Sequence, residues 1–249
     1  MMSIYEEIPG VDLGALRGCD TPTVCNVIEL AGLRPKSAGF ADRRLMAAFP
    51  SLPPMVGYAS TATFRSAEPP AGDNSYQGLE EQLEKLAELA GPPVVVFQDL
   101  DDPPAAATFG EILCTTYQRF GAVGLVTSGA GRDLEQVARL KFPCFTTGAM
   151  GAHGYCHFPS LHQTVRVCGL TIRPGDLLHG DSNGLTTIPA AVAPLVAEGC
   201  ARYLKAEAEI LDYLKQDRVD RPGFAKARAE CVRQLGELEK WLRAGIRPA

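Results

Sequence analysis

The stretch GAVGLVTSGAGRDLEQVARL, residues 121–140, carries the pattern that decides the fold. Its first seven residues form an apolar run of the kind found in buried strands. Small residues follow at 128–131, and a segment with helical spacing runs from Asp133 to Leu140. The stretch therefore predicts a strand, a turn and a helix, with Arg132 and Asp133 where the helix begins.

The sequence on both sides of this unit repeats the alternation. Residues 75–147 predict helix, strand, helix, strand, helix and strand, with the strands at 94–97, 122–127 and 143–148. Strands that alternate with helices form a parallel sheet with helices packed on it. We therefore predict an α/β fold for this part of the chain.

The remainder of the chain follows two other patterns. Strand-like segments at 164–172, 176–180 and 185–189 are separated by RPG and DSNG turns, which predicts a more antiparallel portion beside the α/β unit. From Ala190 onward, apolar residues recur at helical spacing in two helices, the second at 224–244.

Composition limits the classes of function. The chain has 249 residues with 46% hydrophobic residues and a formal net charge of −5, which argues against a nucleic-acid binder. No apolar run approaches the length of a membrane span, and the acidic N-terminus is not typical of a signal peptide. The eight cysteines are scattered without a CxxC pair. We therefore expect a cytoplasmic protein with reduced thiols.

The Arg132–Asp133 pair has a structural and a functional interpretation. An aspartate that opens a helix is often only its cap. In the functional interpretation, small residues before the pair let a ligand approach the backbone, Arg132 binds a carboxylate and Asp133 binds Mg²⁺. A metal beside an arginine can hold an α-keto acid and stabilise its enolate. The glycines at 129 and 131 lack the third glycine of a dinucleotide fingerprint.

The second candidate segment is FGEIL, residues 109–113. A glycine before a helix leaves backbone N–H groups exposed, and such groups bind anions. The amides of Ile112 and Leu113 are therefore candidate carboxylate binders. Glu111 either complements the helix dipole or orients water on a bound metal.

Two further segments have weaker interpretations. The segment AHGYCHFPSLHQ, residues 152–163, contains His153, Cys156, His157 and His162, which suggests zinc, but a loop gives their spacing little geometric meaning. We therefore interpret it as a loop that forms a wall of the binding site. The acidic QDLDDPP, residues 98–104, is interpreted as a solvated loop.

Six segments of the chain together resemble the RraA-like proteins. These segments are VGYAST (56–61), GDN (72–74), VVVF (94–97), FGEILCTTYQRFGAVGLVTSGAGRD (109–133), FPCFTTG (142–148) and GLTIRPGDLLHGDSNGLTTIP (169–189). That family includes the 4-hydroxy-4-methyl-2-oxoglutarate/4-carboxy-4-hydroxy-2-oxoadipate class II aldolases and the regulator of ribonuclease activity A. It also includes proteins once misnamed menaquinone methyltransferases.

The resemblance implies a fold and an assembly. The expected fold is a three-layer β/β/α swivelling domain over residues 1–189, followed by a helical extension over residues 190–249. The family forms trimers or hexamers, and in its aldolases the site lies between subunits. We therefore expect a homo-oligomer whose small-molecule substrate is an oxo acid.

The resemblance also implies roles for individual residues. Asp133 would ligate Mg²⁺ or Mn²⁺, partly through waters, and Arg132 would bind the keto-acid end of the substrate. Glu111 falls where the family has an acid that orders the metal's waters. The segment that would bind the pyruvyl carboxylate comprises Gly110, Ile112 and Leu113. A neighbouring subunit's acid has two candidates, Glu207 and Glu209.

The implied reaction is retro-aldol cleavage of a 4-hydroxy-2-oxo acid to pyruvate and a second carbonyl compound. Oxaloacetate decarboxylation passes through the same enolate and is an expected side activity. The alternative is a non-catalytic regulator that binds a protein partner. The chain departs from the family pattern in having Ser128 where many members have aspartate, and Ser75 and Tyr76 after the GDN motif.

Overall fold

The computed structural model describes residues 8–71 and 76–246. Its helices are α1 (Leu13–Leu16), α2 (Thr21–Ala31), α3 (Leu79–Leu86), α4 (Glu111–Arg119), α5 (Leu134–Arg139), α6 (Ala193–Leu214) and α7 (Arg221–Gly245). Its strands are β1 (Met46–Ala47), β2 (Met55–Phe64), β3 (Pro93–Asp99), β4 (Ala107–Phe109), β5 (Gly124–Thr127), β6 (Ala130–Gly131), β7 (Cys144–Thr146), β8 (Val165–Val167), β9 (Leu170–Ile172), β10 (Leu177–Asp181) and β11 (Gly184–Ile188). The GDN motif at 72–74 and Ser75 lie outside the described residues.

The centre of the fold is a seven-stranded mixed sheet in the order β1-β7-β5-β3-β2-β10-β11. Strands β2, β3, β5 and β7 are mutually parallel. The alternation of helices and strands predicted this for β3, β5 and β7. The β8–β9 hairpin of the antiparallel portion packs beside this sheet as expected, whereas β10 pairs directly with β2 and extends the sheet. Two smaller sheets stand apart, the parallel pair β4–β6 and the antiparallel hairpin β8–β9.

Strand β3 shows how three layers arise. Its side chains alternate between the two faces of the sheet, as they must in a strand. Val94 and Val96 pack with the β8–β9 hairpin, and Val95 and Phe97 pack with α4 and α5. All four side chains are fully buried, which is typical of a strand covered on both faces. The chain thus has the predicted α/β architecture, with a hairpin layer, a sheet layer and a helix layer.

The two C-terminal helices form a hairpin that packs against α2. Helix α6 packs against α2, and a Cβ added at Gly199 would lie 2.7 Å from a methyl carbon of Val27. Asp220, in the segment between the two helices, accepts a hydrogen bond from Gly223 N at 2.7 Å, which caps α7. Helix α7 begins slightly earlier than predicted, at Arg221. The division into residues 1–189 and 190–249 stays a prediction.

The cysteines are free thiols, and the described helices are not of the membrane-spanning type. All eight cysteines are free, and all except Cys25 are buried, so they fill the core. Over residues 8–71 and 76–246, no helix combines the length and the apolar character that crossing a bilayer requires.

Candidate active site

The parallel pair β4–β6 brings the two candidate segments together. Ala107 pairs with Ala130, Phe109 pairs with Gly131, and Arg132 N donates a hydrogen bond to Phe109 O at 2.9 Å. Because the strands are parallel, their carboxyl ends lie side by side, and α4 and α5 both begin there. Six of the predicted site residues therefore meet at this edge, namely Gly110, Glu111, Ile112, Leu113, Arg132 and Asp133.

Asp133 does not cap the helix that it precedes. Its backbone is left-handed, with φ 54°, and within the described part of the chain its side chain makes no capping hydrogen bond to α5. Instead its Oδ2 accepts a hydrogen bond from Glu111 N at 3.1 Å and lies 3.7 Å from Arg132 Nε. The capping interpretation is therefore wrong, because Asp133 is oriented by the first amide of α4.

Gly110 allows this approach of Asp133 and Arg132 to α4. Its φ of −157° is ordinary extended backbone that any residue adopts. A Cβ at this position, however, would lie 2.6 Å from Asp133 Oδ2 and 3.0 Å from Arg132 Cγ. A larger residue would displace the two candidate side chains, which fill the space that the glycine leaves.

The first turn of α4 presents free backbone donors. The first hydrogen bond along the helix runs from Cys114 N to Gly110 O at 3.0 Å, and the N-cap residue Gly110 has no side chain that could accept from the first amides. With Glu111 N bound to Asp133, the amides of Ile112 and Leu113 remain available for an anion. Leu113 is buried and anchors the turn, whereas the Ile112 side chain is 81% exposed.

The donor set around Asp133 suits one kind of metal. Its Oδ2 faces the Glu111 amide and the Arg132 guanidinium, which leaves Oδ1 for a cation. Across the described residues, no three His, Cys, Asp or Glu side chains are grouped to hold a metal ion. Mg²⁺ is commonly bound through one or two carboxylates and keeps several waters, so a single carboxylate fits Mg²⁺ or Mn²⁺. It does not fit a zinc site built from protein ligands.

The histidine segment does not assemble a zinc site. His153 Nδ1 lies 2.9 Å from Gly154 O, His157 Nδ1 lies 2.8 Å from Tyr155 O, and His162 Nε2 lies 3.0 Å from Ser60 Oγ. The three rings therefore bind different partners. Cys156 Sγ donates to a backbone carbonyl, and burial raises the pKa of its thiol to about 11, which disfavours the thiolate that zinc requires.

The same segment lies against the two short strands. Ala107 N of β4 donates to Ala152 O at 2.8 Å, and Met150 N donates to Gly131 O of β6 at 3.0 Å. These bonds fix residues 150–152 beside the strands that carry the candidate residues. That this loop forms a wall of the binding site stays a prediction, and zinc binding is the role that was considered for its side chains.

The acidic segment 98–104 is not a simple solvated loop. Asp101 Oδ2 accepts hydrogen bonds from Ser66 N at 2.7 Å and Ala67 N at 2.9 Å, which ties the segment to the end of β2. Asp99 ends β3, its Oδ1 accepts from Asp101 N at 3.0 Å, and its Oδ2 is buried without a hydrogen-bond partner among the described residues. Burial, with a smaller effect from the Asp101 charge, raises the pKa of Asp99 to about 6.

Replacing Asp99 with asparagine is expected to raise Tm at neutral pH. The folded pKa of Asp99 lies above the unfolded value, so the native state binds the extra proton and loses stability as the pH rises through about 6. Asparagine keeps the Oδ1 acceptor and removes the charge. Thermal melts should show a higher Tm for Asp99→Asn at about pH 7.5 and a much smaller difference at about pH 4.

The matched control for this variant is Asp102→Asn, the same change at an exposed position of the same segment. Its Tm should equal that of the parent chain at both pH values. A stabilisation by Asp99→Asn that is equally large in acid, or a destabilisation at neutral pH, would show that the buried carboxylate is not under this electrostatic penalty.

The acids predicted to serve a neighbouring subunit lie away from this edge. Glu207 and Glu209 are on α6, and Glu209 Oε1 accepts a hydrogen bond from Gln234 of α7 at 2.9 Å. Glu209 also lines the groove between α6 and α7, which has a volume of about 1070 Å³. Their role at another protomer's site stays a prediction.

Comparison with known sequences identifies the family. Residues 21–187 match the RraA-like family, which is described as Aldolase/RraA, and this match covers more than half of the chain. The chain belongs to the RraA-like family. The matched range includes every candidate residue except the two acids on α6.

Relatives of this RraA-like chain are distant. A protein of Halalkalibacterium halodurans, provisionally named a 4-hydroxy-4-methyl-2-oxoglutarate aldolase, is 32% identical over 101 residues, which are 40% of this chain and 48% of that protein. The chain spans about half the length of two curated relatives that it matches.

Solved structures agree with the RraA-like fold. An uncharacterised protein from Pseudomonas syringae pv. tomato has a TM-score of 0.68 at 18% identity, covering 92% of this chain and 99% of that one. Streptomyces coelicolor RraAS2, described as an unusual member of the RNase ES inhibitor RraA family, has a TM-score of 0.61 at 22% identity, with 78% and 92% covered. At these identities the likeness concerns the fold alone.

Proposed function

We propose that this RraA-like chain is a divalent-metal-dependent lyase that cleaves a 4-hydroxy-2-oxo acid to pyruvate and a second carbonyl compound. The observation that carries the proposal is the contact of Asp133 and Arg132 with the first turn of α4. This contact brings together a carboxylate ligand for a hard cation, a guanidinium and free backbone amides. The distant relative named an aldolase supports the same reaction class.

The oxo-acid end of the substrate is bound by the start of α4 and by Arg132. The amides of Ile112 and Leu113 donate to the carboxylate, and the helix dipole favours its negative charge. The guanidinium of Arg132 is partly buried, with 27% of the side chain exposed, and donates to the oxo-acid oxygens. Asp133 would hold the metal, with its carboxylate fixed by the Glu111 amide, and the Glu111 side chain would orient water on the metal.

The reaction requires stabilisation of the negative charge that develops on the enolate oxygen of pyruvate. When the 4-hydroxyl loses its proton, the C3–C4 bond can break. C4 then becomes a carbonyl carbon, and the electron pair of the broken bond becomes part of the enolate of pyruvate. Arg132 faces that enolate oxygen, and protonation at C3 completes the release of pyruvate. Bound at Asp133, Mg²⁺ or Mn²⁺ supplies Lewis-acid stabilisation of the same charge. Oxaloacetate yields the same enolate by loss of CO₂, so decarboxylation is part of the proposal.

A homo-oligomer, a trimer or a hexamer, belongs to the proposal as well. Large apolar side chains on the C-terminal helix pair are exposed, namely Leu204, Leu211, Leu214, Phe224 and Val232. Exposed apolar surface of this kind is typical of protein contacts. The same surface also suits the alternative function, a non-catalytic regulator that binds a protein partner, so catalysis must be tested directly.

The chain is expected to release pyruvate from oxaloacetate or from a 4-hydroxy-2-oxo acid in the presence of Mg²⁺ or Mn²⁺. Pyruvate is measured through NADH oxidation by lactate dehydrogenase, and the metal-catalysed decay of oxaloacetate without protein is subtracted. EDTA should abolish the activity because it removes the cation that stabilises the enolate, and the Asp133 carboxylate is itself negative. Added Mg²⁺ should restore the activity. No pyruvate above the blank from any substrate with either metal would contradict the lyase and favour the regulator.

A further inference from the structure

We propose that a cavity beside β11 binds a small organic monocarboxylate through the guanidinium groups of Arg34 and Arg173. The cavity has a volume of about 320 Å³ and is lined by the loop after α2, the end of β11 and the turn before β10. The proposed lyase site uses none of these residues. The inference therefore goes beyond the proposed function and does not depend on it.

The cavity and the proposed lyase site lie toward opposite ends of the central sheet. Leu177, which lines the cavity, pairs with Tyr58 of β2, and Tyr58 pairs with Pro93 at the start of β3. The chain reaches the lyase residues from the other end of β3, where Phe97 pairs with Thr127 shortly before β6. Because β3 has seven residues, its two ends are roughly 20 Å apart. The cavity is therefore a separate site.

Arg34 is a half-buried residue whose guanidinium is held in place by neutral oxygens. Its Nη1 donates to Thr187 O at 3.0 Å and to Thr187 Oγ1 at 2.9 Å, and its Nη2 donates to Thr186 Oγ1 at 2.9 Å. The guanidinium also lies against Gly39, where an added Cβ would come within 1.9 Å of Arg34 Cζ. The positive charge is thus preorganised beside the cavity, so little side-chain entropy is lost when a ligand binds.

Two donors of Arg34 remain for a ligand. A guanidinium has five N–H groups, and the bonds to Thr186 and Thr187 use three of them. Over residues 8–71 and 76–246, Nε–H and the second N–H of Nη2 have no partner. These neighbouring donors of a planar fork can bind both oxygens of one carboxylate. Burial lowers the pKa of Arg34, as expected for a cation that has lost part of its hydration, and a bound anion would stabilise it.

The charged residues that line the cavity suit a single negative charge. Arg173 is exposed, and its side chain makes no ion pair within the described part of the chain, so it offers a second cation. Asp176 lines the same cavity, and its Oδ2 accepts a hydrogen bond from Arg173 N at 2.8 Å. Two guanidinium groups and one carboxylate give a net charge of +1, which a monoanion neutralises. A dianion would place an excess negative charge beside Asp176.

The remaining lining suits a short hydrocarbon chain. Ile8, Leu177, Ile188 and Pro189 contribute apolar side chains to the cavity. A carboxylate bound to Arg34 can bury its hydrocarbon part against them, which an inorganic anion cannot do. Most small-molecule sites combine such an apolar lining with a few polar groups that fix the orientation of the ligand. A short aliphatic monocarboxylate, such as butanoate, therefore matches both the charges and the lining.

The experiment titrates the full chain with sodium butanoate at pH 7.5 and constant ionic strength, and measures Kd by ligand-observed NMR. Butanoate should bind with a Kd of about 1 mM or less, and inorganic phosphate should bind about fivefold more weakly or less tightly still. Arg173→Gln should raise the Kd of butanoate about tenfold, because a charge-assisted contact is lost. Arg34→Lys should raise it by a similar factor, because the charge is kept but the planar fork is lost.

The matched control is Arg166→Gln, the same change at an exposed arginine of β8 outside the cavity, and it should keep the parent's Kd. No saturable binding of butanoate would overturn the inference, and so would an equal Kd in Arg173→Gln and Arg166→Gln. Tighter binding of phosphate than of butanoate would overturn the class of ligand. A changed oligomeric mass of Arg173→Gln in light scattering would also contradict the proposal, because the arginine would then serve a contact between copies.

Discussion

Replacing Asp133 with asparagine is expected to lower metal-dependent pyruvate release by a factor of about 10³ or more while the chain stays folded. Asparagine tolerates the left-handed backbone at φ 54°, and its side-chain oxygen can still accept from Glu111 N. The contact that orients residue 133 is thus retained. What is lost is the negative charge that binds a hard cation, so the effect isolates metal binding from local structure.

The test measures the fold, the activity and the metal binding of the variant. Circular dichroism and Tm should match the parent, pyruvate release should disappear, and Mg²⁺ binding by titration calorimetry should be lost. Glu135→Gln, which neutralises an exposed acid in the first turn of the same helix, is the matched control and should keep full activity. Normal turnover by Asp133→Asn at the parent's Mg²⁺ concentration would contradict the role of Asp133 as the metal ligand.

The sequence predicted the elements that depend on local periodicity. The run of apolar residues before Ser128 and the helical spacing after Asp133 identify β5 and α5 because both patterns are written in consecutive residues. The parallel order of β3, β5 and β7 then follows from the helices between them. The adjacency of the FGEIL and RD segments came from the family resemblance and not from these patterns.

The contacts that distinguish this site depend on long-range geometry. Strands β4 and β6 have three and two residues, too few for periodicity to reveal, yet their pairing orients Asp133 toward α4. Asp99 was misinterpreted because acidic residues near prolines are usually solvated. A signal was present, since Asp99 comes two residues after the predicted buried strand at 94–97, and ligands of open α/β sheets bind at the carboxyl ends of strands.

Gly110→Ala is expected to reduce pyruvate release about 10²-fold, although the change adds only one methyl group. The new Cβ would lie 2.6 Å from Asp133 Oδ2 and 3.0 Å from Arg132 Cγ, so both side chains must move away from the start of α4. Shifts of about 1 Å in groups that position a substrate are enough for a loss of this size. Stability should fall by about 1 kcal/mol or less, because alanine is a poorer N-cap but adopts the extended φ without strain.

Gly236→Ala is the matched control, at a glycine where an added methyl group meets no neighbour. A Cβ at Gly236 meets nothing within 4 Å, and the residue lies inside α7, so alanine should stabilise the helix by roughly 0.5–1 kcal/mol and leave activity unchanged. The comparison separates a local steric effect from a general response to glycine replacement. If Gly110→Ala kept the parent's kcat/KM, the close packing of Asp133 and Arg132 against α4 would not be needed for turnover. The proposed site would then have to be placed elsewhere on the molecule.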